Sequence, residues 1–211
     1  MVGIMPEIKN VNVYGLENSI RAAKYPKSVN LESLDTTLTK GIKACANCKT
    51  GEGHDNFLKG IIVQFDLTFS NKAWVELQRY HFIDFVSSQS TMHKITKFDI
   101  KQQCNRYVDP RIIDIVQDKI NEYNRLNKLN ETNVFSKERQ DIMNELYLEI
   151  LYNVPSGFQI TAGMTTNYQQ LKTIYQQRRH HRLPDWQIFC DWCESLPLFK
   201  ELCIDRNKIT E

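Results

Sequence analysis

Residues 57–69, FLKGIIVQFDLTF, carry Ile61, Val63, Phe65, Leu67 and Phe69 at alternate positions. Large apolar side chains at period two are buried together on one face of a β-strand. Such a strand needs a covering layer, and the sequence around it reads as helices. Ser70 can cap a helix over 71–82, with Trp74, Leu77 and Tyr80/His81 on one face. Asp109-Pro110 opens a second that turns Ile112, Ile113, Val116, Ile120 and Tyr123 inward, and the polar stretch NRLNKLNETN ends it. Ser136 starts a third, with Ile142, Leu146, Ile150 and Leu151 on its stripe, and Pro155-Ser156-Gly157 closes it. Further helices run from about Thr166 to His181 and onward from Pro184. A strand over 8–14 and a short helix between Gly15 and Pro26 come first. Residues 27–56 and 87–95 are polar and read as loops. The expected fold is α+β, helix-rich with an antiparallel or mixed central sheet, in a single domain over 1–211.

Composition narrows the function classes. With 41% hydrophobic and 25% charged residues in 211, the chain can bury its own core and is no disordered tail. No apolar run reaches the length of a membrane-spanning helix, so no membrane partner is expected. A net charge of +2 makes nucleic acid an unlikely partner. The N-terminus has no basic region followed by an apolar stretch, so a cytoplasmic protein with reduced thiols is expected. Cys45/Cys48 and Cys190/Cys193 have CxxC spacing. The second pair falls inside a helix without the turn of a zinc knuckle, so no metal is expected. No cysteine has an activating base beside it in sequence, so no thiol nucleophile is expected either.

Three patches hold the candidate chemistry. They are His54 in GEGHDN, Arg79-Tyr80-His81 followed by Ser87-Ser88-Gln89-Ser90, and the run Arg178-Arg179-His180-His181-Arg182. Each has a simpler reading: a loop histidine, loop hydroxyls, and a solvated cationic helix end that suits the macrodipole. Taken together they read as one anion site. Arginines bind phosphate bidentately, serine hydroxyls add neutral donors, and a histidine orients a polar heterocycle. That chemistry suits a phosphorylated or nucleotide ligand better than a protein substrate. Walker, GxGxxG, HExxH and GxSxG motifs are absent.

At these residues the chain resembles the flavin-dependent thymidylate synthases. Arg178 follows Asn167 by eleven residues, Pro155 precedes Asn167 by twelve, and LPDWQIF opens the next helix. His54 precedes Arg79 by 25 residues, the spacing that separates a histidine from the family's RHR signature. The signature itself is degraded to Arg79-Tyr80-His81, and its serine end falls on SSQST. Three family arginines are replaced. Met92 stands at or beside the last one of the signature, Leu151 four residues before Pro155, and Gln169 two after Asn167. Arg179, Arg182 and Lys94 are the cations that could compensate.

The resemblance implies a divergent flavin-dependent pyrimidine-nucleotide synthase. It would move a one-carbon unit from methylenetetrahydrofolate to C5 of dUMP or a related pyrimidine nucleotide, with FAD as cofactor and NADPH as reductant. A non-catalytic nucleotide- or flavin-binding relative is the alternative. The implied catalytic residues are Arg178 and Ser90, and the implied cofactor-binding residues are His54, Arg79, His81 and Asn167. Ser88, Ser90, Arg178 and Arg182 would bind the substrate. A homotetramer is implied as well. Trp186, Trp192 and Phe199 are read as exposed aromatic ends that an interface buries.

Overall fold

The computed structural model describes residues 5–49, 51–132 and 136–204. Four strands are present: β1 (Glu7–Tyr14), β2 (Ile62–Ser70), β3 (Ile83–Ser88) and β4 (Gln159–Asn167). They form one antiparallel sheet in the order β1-β2-β4-β3. The helices are α1 (Leu16–Ala22), α2 (Lys40–Ala46), α3 (Asn71–Leu77), α4 (Thr91–Lys94), α5 (Ile100–Gln103), α6 (Pro110–Thr132), α7 (Lys137–Asn153), α8 (Tyr168–Arg178), α9 (Pro184–Ser195) and α10 (Phe199–Cys203). The α+β, helix-rich class expected from the sequence is the class observed. Among the described residues no helix is long and apolar enough to cross a membrane.

The chain separates into two compact units. The first takes residues 5–6, 68–77 and 88–162. Its core is Ile95, Ile100, Cys104, Val116, Ile120, Ile150 and Phe158, with Ile113, Tyr123, Leu146 and Leu151 packed around them. The inward stripe of α6 therefore runs 113, 116, 120 and 123, at helical spacing. Ile112 lies about 100° off that stripe and is 43% exposed, against expectation. Ile142 is exposed for the same reason, and the neighbouring Met143 is buried in its place. α6 runs through most of the polar stretch NRLNKLNETN and ends within it at Thr132, rather than at its start. Leu126 extends the buried stripe, and Arg125–Glu122 and Asn127–Glu131 pair along the exposed face.

The second unit takes residues 7–67, 78–87 and 163–204. Its core is aromatic. Phe65 of β2 packs against Trp192 with ring centroids 4.5 Å apart and the planes tilted by 43°. Phe189 stands 5.1 Å from Trp192 and 5.8 Å from Trp186. Tyr168 and Tyr175 of α8 close on Phe199 at 5.4 and 6.0 Å. Trp186 and Phe199 are fully buried by their own chain, and Trp192 is half-buried. The expectation that these three are exposed ends awaiting an interface is therefore corrected.

The period-two stripe Ile61, Val63, Phe65, Leu67 and Phe69 is buried throughout, as expected. The strand itself starts at Ile62, because residues 56–60 form a 3-10 turn. Gly15 opens α1 at φ 73°, and a Cβ there would lie 2.5 Å from the Gly60 carbonyl oxygen, so only glycine fits. Ser70 caps α3 by accepting from the Ala73 amide at 3.3 Å. That helix stops at Leu77, short of the expected 82, and residues 83–88 form β3, an edge strand over a stretch that the sequence reading leaves unassigned at 83–86 and takes as loop from 87. Residues 40–46, expected as loop, are α2: Thr39 caps the Ile42 amide, and Ile42 and Ala46 are buried four residues apart. β4 occupies a stretch from which no strand is expected, with α8 starting only at Tyr168.

Candidate functional site

The last turn of α8 carries Arg178. Its Nε donates to the Tyr80 hydroxyl at 2.9 Å, and that hydroxyl is 2.9 Å from Gln177 Oε1. The guanidinium carbon lies 4.8 Å from the centre of the Trp186 ring and 5.6 Å from that of Tyr80. Tyr80 in turn stands edge-on to Trp186 at 6.2 Å, and His181 does the same from the other segment at 6.4 Å. Arg178 is half-buried in an aromatic box. The simpler reading of a solvated helix end does not hold for it. Tyr80, the departure from the RHR signature, is the residue that anchors it. Arg79 and His81 flank Tyr80 and are exposed, which brings them to the same corner of the second unit. His81 was expected on the inner face of the 71–82 helix, and the end of α3 at Leu77 releases it. Arg182 is exposed beyond the end of α8.

Asn167 sits at the other end of α8, eleven residues or roughly 16 Å of helix away. Its side-chain oxygen caps the helix by accepting from the Gln170 amide at 3.0 Å. Its NH2 group has no partner among the described residues, and it lines a cavity of about 350 Å³. Asp55, Lys59, Gln169, Lys172 and Thr173 line the same cavity. Lys172 Nζ donates to Asp55 Oδ2 at 2.8 Å and to the Ala46 carbonyl at 2.6 Å. Gln169 Nε2 donates to the other Asp55 oxygen at 3.0 Å. The two charged side chains are 7% and 11% exposed, so this is a buried ion pair. Neither partner is singled out by the sequence. Lys172 breaks the polar side of α8 by lying inward, four residues after the buried Tyr168, and that signal is readable only once the start of the helix is known.

His54 is exposed and lines a second cavity, of about 680 Å³, together with Lys24, Lys27, Ile42, Cys45 and Phe57. His54 and Asp55 are adjacent in sequence and face different cavities. Ser88 ends β3, and Ser90 precedes α4 without capping it through its side chain; both belong to the first unit. The three compensating cations fare differently. Arg179 pairs with Asp191 and Glu194, while Arg182 and Lys94 are exposed. Met92 is exposed and Leu151 packs on the apolar core of the first unit.

The cysteines divide into two classes. Cys45 and Cys48 are half-buried, while Cys104, Cys190, Cys193 and Cys203 are buried. Burial pushes the Cys104 thiol up to about 11 and that of Cys190 to about 12, and raises Cys193 and Cys203 too. A raised folded-state pKa means that the stability contributed by neutral thiols is present below the unfolded value, about 8.5. It is lost as pH rises through about 11 to 12. A disulfide reagent at neutral pH is expected to modify Cys45 and Cys48 quickly and the other four only on unfolding. Stability should fall on the alkaline side above about pH 9. Six thiols reacting at one rate in the native protein would contradict this packing.

No family model matches the sequence, and no curated protein does. The fold has close counterparts among solved structures. A crystal structure of thymidylate synthase X from Helicobacter pylori with FAD and dUMP superposes with a TM-score of 0.67 at 15% identity, covering 97% of this chain and 100% of that one. A second crystal structure describes the flavin-dependent thymidylate synthase ThyX of the same organism complexed with FAD and dUMP. It gives a TM-score of 0.65 at 15% identity over 94% of this chain and 98% of that one. The likeness is one of fold and runs nearly end to end.

Proposed function

We propose that the chain is a divergent flavin-dependent pyrimidine-nucleotide synthase that places a one-carbon unit from methylenetetrahydrofolate on C5 of dUMP or a related nucleotide. The observation that carries the reading is Arg178. It lies at the spacing from Asn167 that the resemblance requires, and it is held in the Tyr80–Trp186 box in a chain of this fold. The same reading takes residues 1–211 as one functional domain of a cytoplasmic homotetramer.

The residues fit a flavin nucleotide. Asn167, whose NH2 has no partner among the described residues, lines one cavity with Lys172, and His54, Arg79 and His81 are exposed donors in the same unit. FAD would supply the hydride chemistry, with NADPH as its reductant. The chain's own residues bind and orient. Arg178 holds the pyrimidine and polarises its carbonyl, with Ser88, Ser90 and Arg182 as further substrate contacts. His54, Arg79, His81 and Asn167 hold the flavin. No protein nucleophile is used, in keeping with buried thiols whose pKa values are raised rather than lowered.

One observation favours the binding-only alternative. Leu151 is part of an apolar core, where the resemblance asks for an arginine. Incubation with FAD, NADPH, dUMP and isotopically labelled methylenetetrahydrofolate separates the two. Label at C5 of the nucleotide is the expected result. Flavin and dUMP binding without label transfer supports the alternative, and absence of both contradicts both readings.

A further inference from the structure

Lys172 is a buried lysine that none of the roles above uses. An ammonium has three N–H donors. Two are spent on Asp55 and on the Ala46 carbonyl, and the third has no partner among the described residues. The residue lines the Asn167 cavity, and among the described residues of that lining two lysines, Lys59 and Lys172, stand against one carboxylate, that of Asp55. Asn167, whose NH2 has no partner among the described residues, lines the same cavity. A buried cation with a spare donor, beside other donors and in a cavity of net positive charge, is the arrangement that recognises an anion. Gln169 leaves this role open, because its NH2 is turned to Asp55. The cation enters one turn later on the same helix.

We infer that Lys172 is the anion-contacting cation of the Asn167 cavity, and that it takes a phosphate group of a bound nucleotide in competition with its partner Asp55. The inference deepens the proposed flavin and nucleotide reading and rests on it for the identity of the ligand.

The ion pair makes a discriminating test available. If the pair only holds the fold, removing either partner weakens ligand binding alike. If Lys172 contacts the ligand, Asp55 competes with it, and removing Asp55 spares binding. Inorganic pyrophosphate and FAD are titrated separately into wild type, Lys172→Gln and Asp55→Asn. Thermal shift and quenching of flavin fluorescence are the readouts. Lys172→Gln is expected to weaken both probes about ten-fold or more. Asp55→Asn is expected to bind them as well as wild type or better, although both variants melt earlier when free. Equal weakening in the two variants overturns the inference, as does wild type that binds neither probe. If pyrophosphate binds and depends on Lys172 while FAD does not bind, the cation stands and the flavin reading falls. If FAD binds wild type and Lys172→Gln equally, the flavin reading stands and the inference falls. Where Lys172→Gln does not fold, Asp55→Asn decides alone: retained affinity supports the inference, and lowered affinity overturns it.

Discussion

Trp186→Ala is expected to lower the unfolding free energy by about 3–5 kcal/mol, the range for removing a large buried aromatic side chain from a well-packed core. Trp186 is fully buried near the start of α9, and its ring meets Phe189, Tyr80, His181 and Arg178. Four neighbours from three segments leave little room for collapse into the space, which puts the loss toward the upper end. The ring also carries one face of the Arg178 box, so nucleotide binding should fall along with stability. Phe82→Ala is the matched control. Its side chain is 65% exposed, and its stability should change by no more than about 0.5 kcal/mol. Urea unfolding followed by tryptophan fluorescence and circular dichroism measures both. A Trp186→Ala loss below about 1 kcal/mol would mean that the aromatic core is not packed as described.

The parts of the fold that were legible in sequence are those in which one local period dominates. β2 declares itself because Val63, Phe65, Leu67 and Phe69 continue the alternation that starts at Ile61, and all five are buried. α6, α7 and α9 declare themselves through Asp109-Pro110, Ser136 and Leu183-Pro184 at their starts. β4 was illegible because its buried positions include small and polar residues. Ala162, Met164 and Thr166 alternate, but none is an aromatic or aliphatic β-former of the kind that marks β2. β3 was illegible for the opposite reason, since it is an edge strand with five of its six residues exposed and carries no buried stripe. α2 was hidden by the glycine-rich, polar sequence that follows it, with only Thr39 to mark its start.

At the candidate site, His54, the Arg79–His81 turn and the Arg178–Arg182 run stood out by their residue types, and the family resemblance added Asn167 and singled out Arg178. The structure seats Arg178 on Tyr80, whose sequence neighbours Arg79 and His81 are exposed, and gives Asn167 and His54 a cavity each. What spacing could not supply was the set of partners. Tyr80 read as damage to a signature, and it is the hydroxyl and ring that seat the arginine. Asp55 and Lys172 lie 117 residues apart, a pairing that no local pattern encodes. Arg179, adjacent to Arg178 and chemically identical, is committed to Asp191 and Glu194. Glu194 in turn accepts from the Tyr175 hydroxyl at 2.7 Å, a bond that holds its carboxyl below the usual range. Neighbouring arginines thus take separate roles through tertiary contacts alone.

Arg178 carries the second large effect. As a ligand contact it should show charge-assisted binding worth roughly 1.5–3 kcal/mol, or about ten- to a hundred-fold in affinity. The Nε bond to Tyr80 and the cation–π contact with Trp186 hold the guanidinium, and a lysine ammonium can reproduce neither its planar shape nor its fork of donors. Arg178→Lys should therefore lose nearly as much affinity as Arg178→Ala. Because the side chain is half-buried against two rings, both variants should also lose about 1–2 kcal/mol of stability, more than a solvated helix-end arginine contributes. Tyr80→Phe keeps the ring and removes the hydroxyl, so it should give an intermediate loss of affinity with most of the stability kept. The deciding measurement is a calorimetric titration of dUMP into FAD-equilibrated wild type and Arg178→Lys. Binding to wild type with at least about ten-fold weaker binding to the variant is the predicted result. Equal affinity in the two proteins, or no heat of binding in wild type, would contradict the assignment of a pyrimidine nucleotide to Arg178.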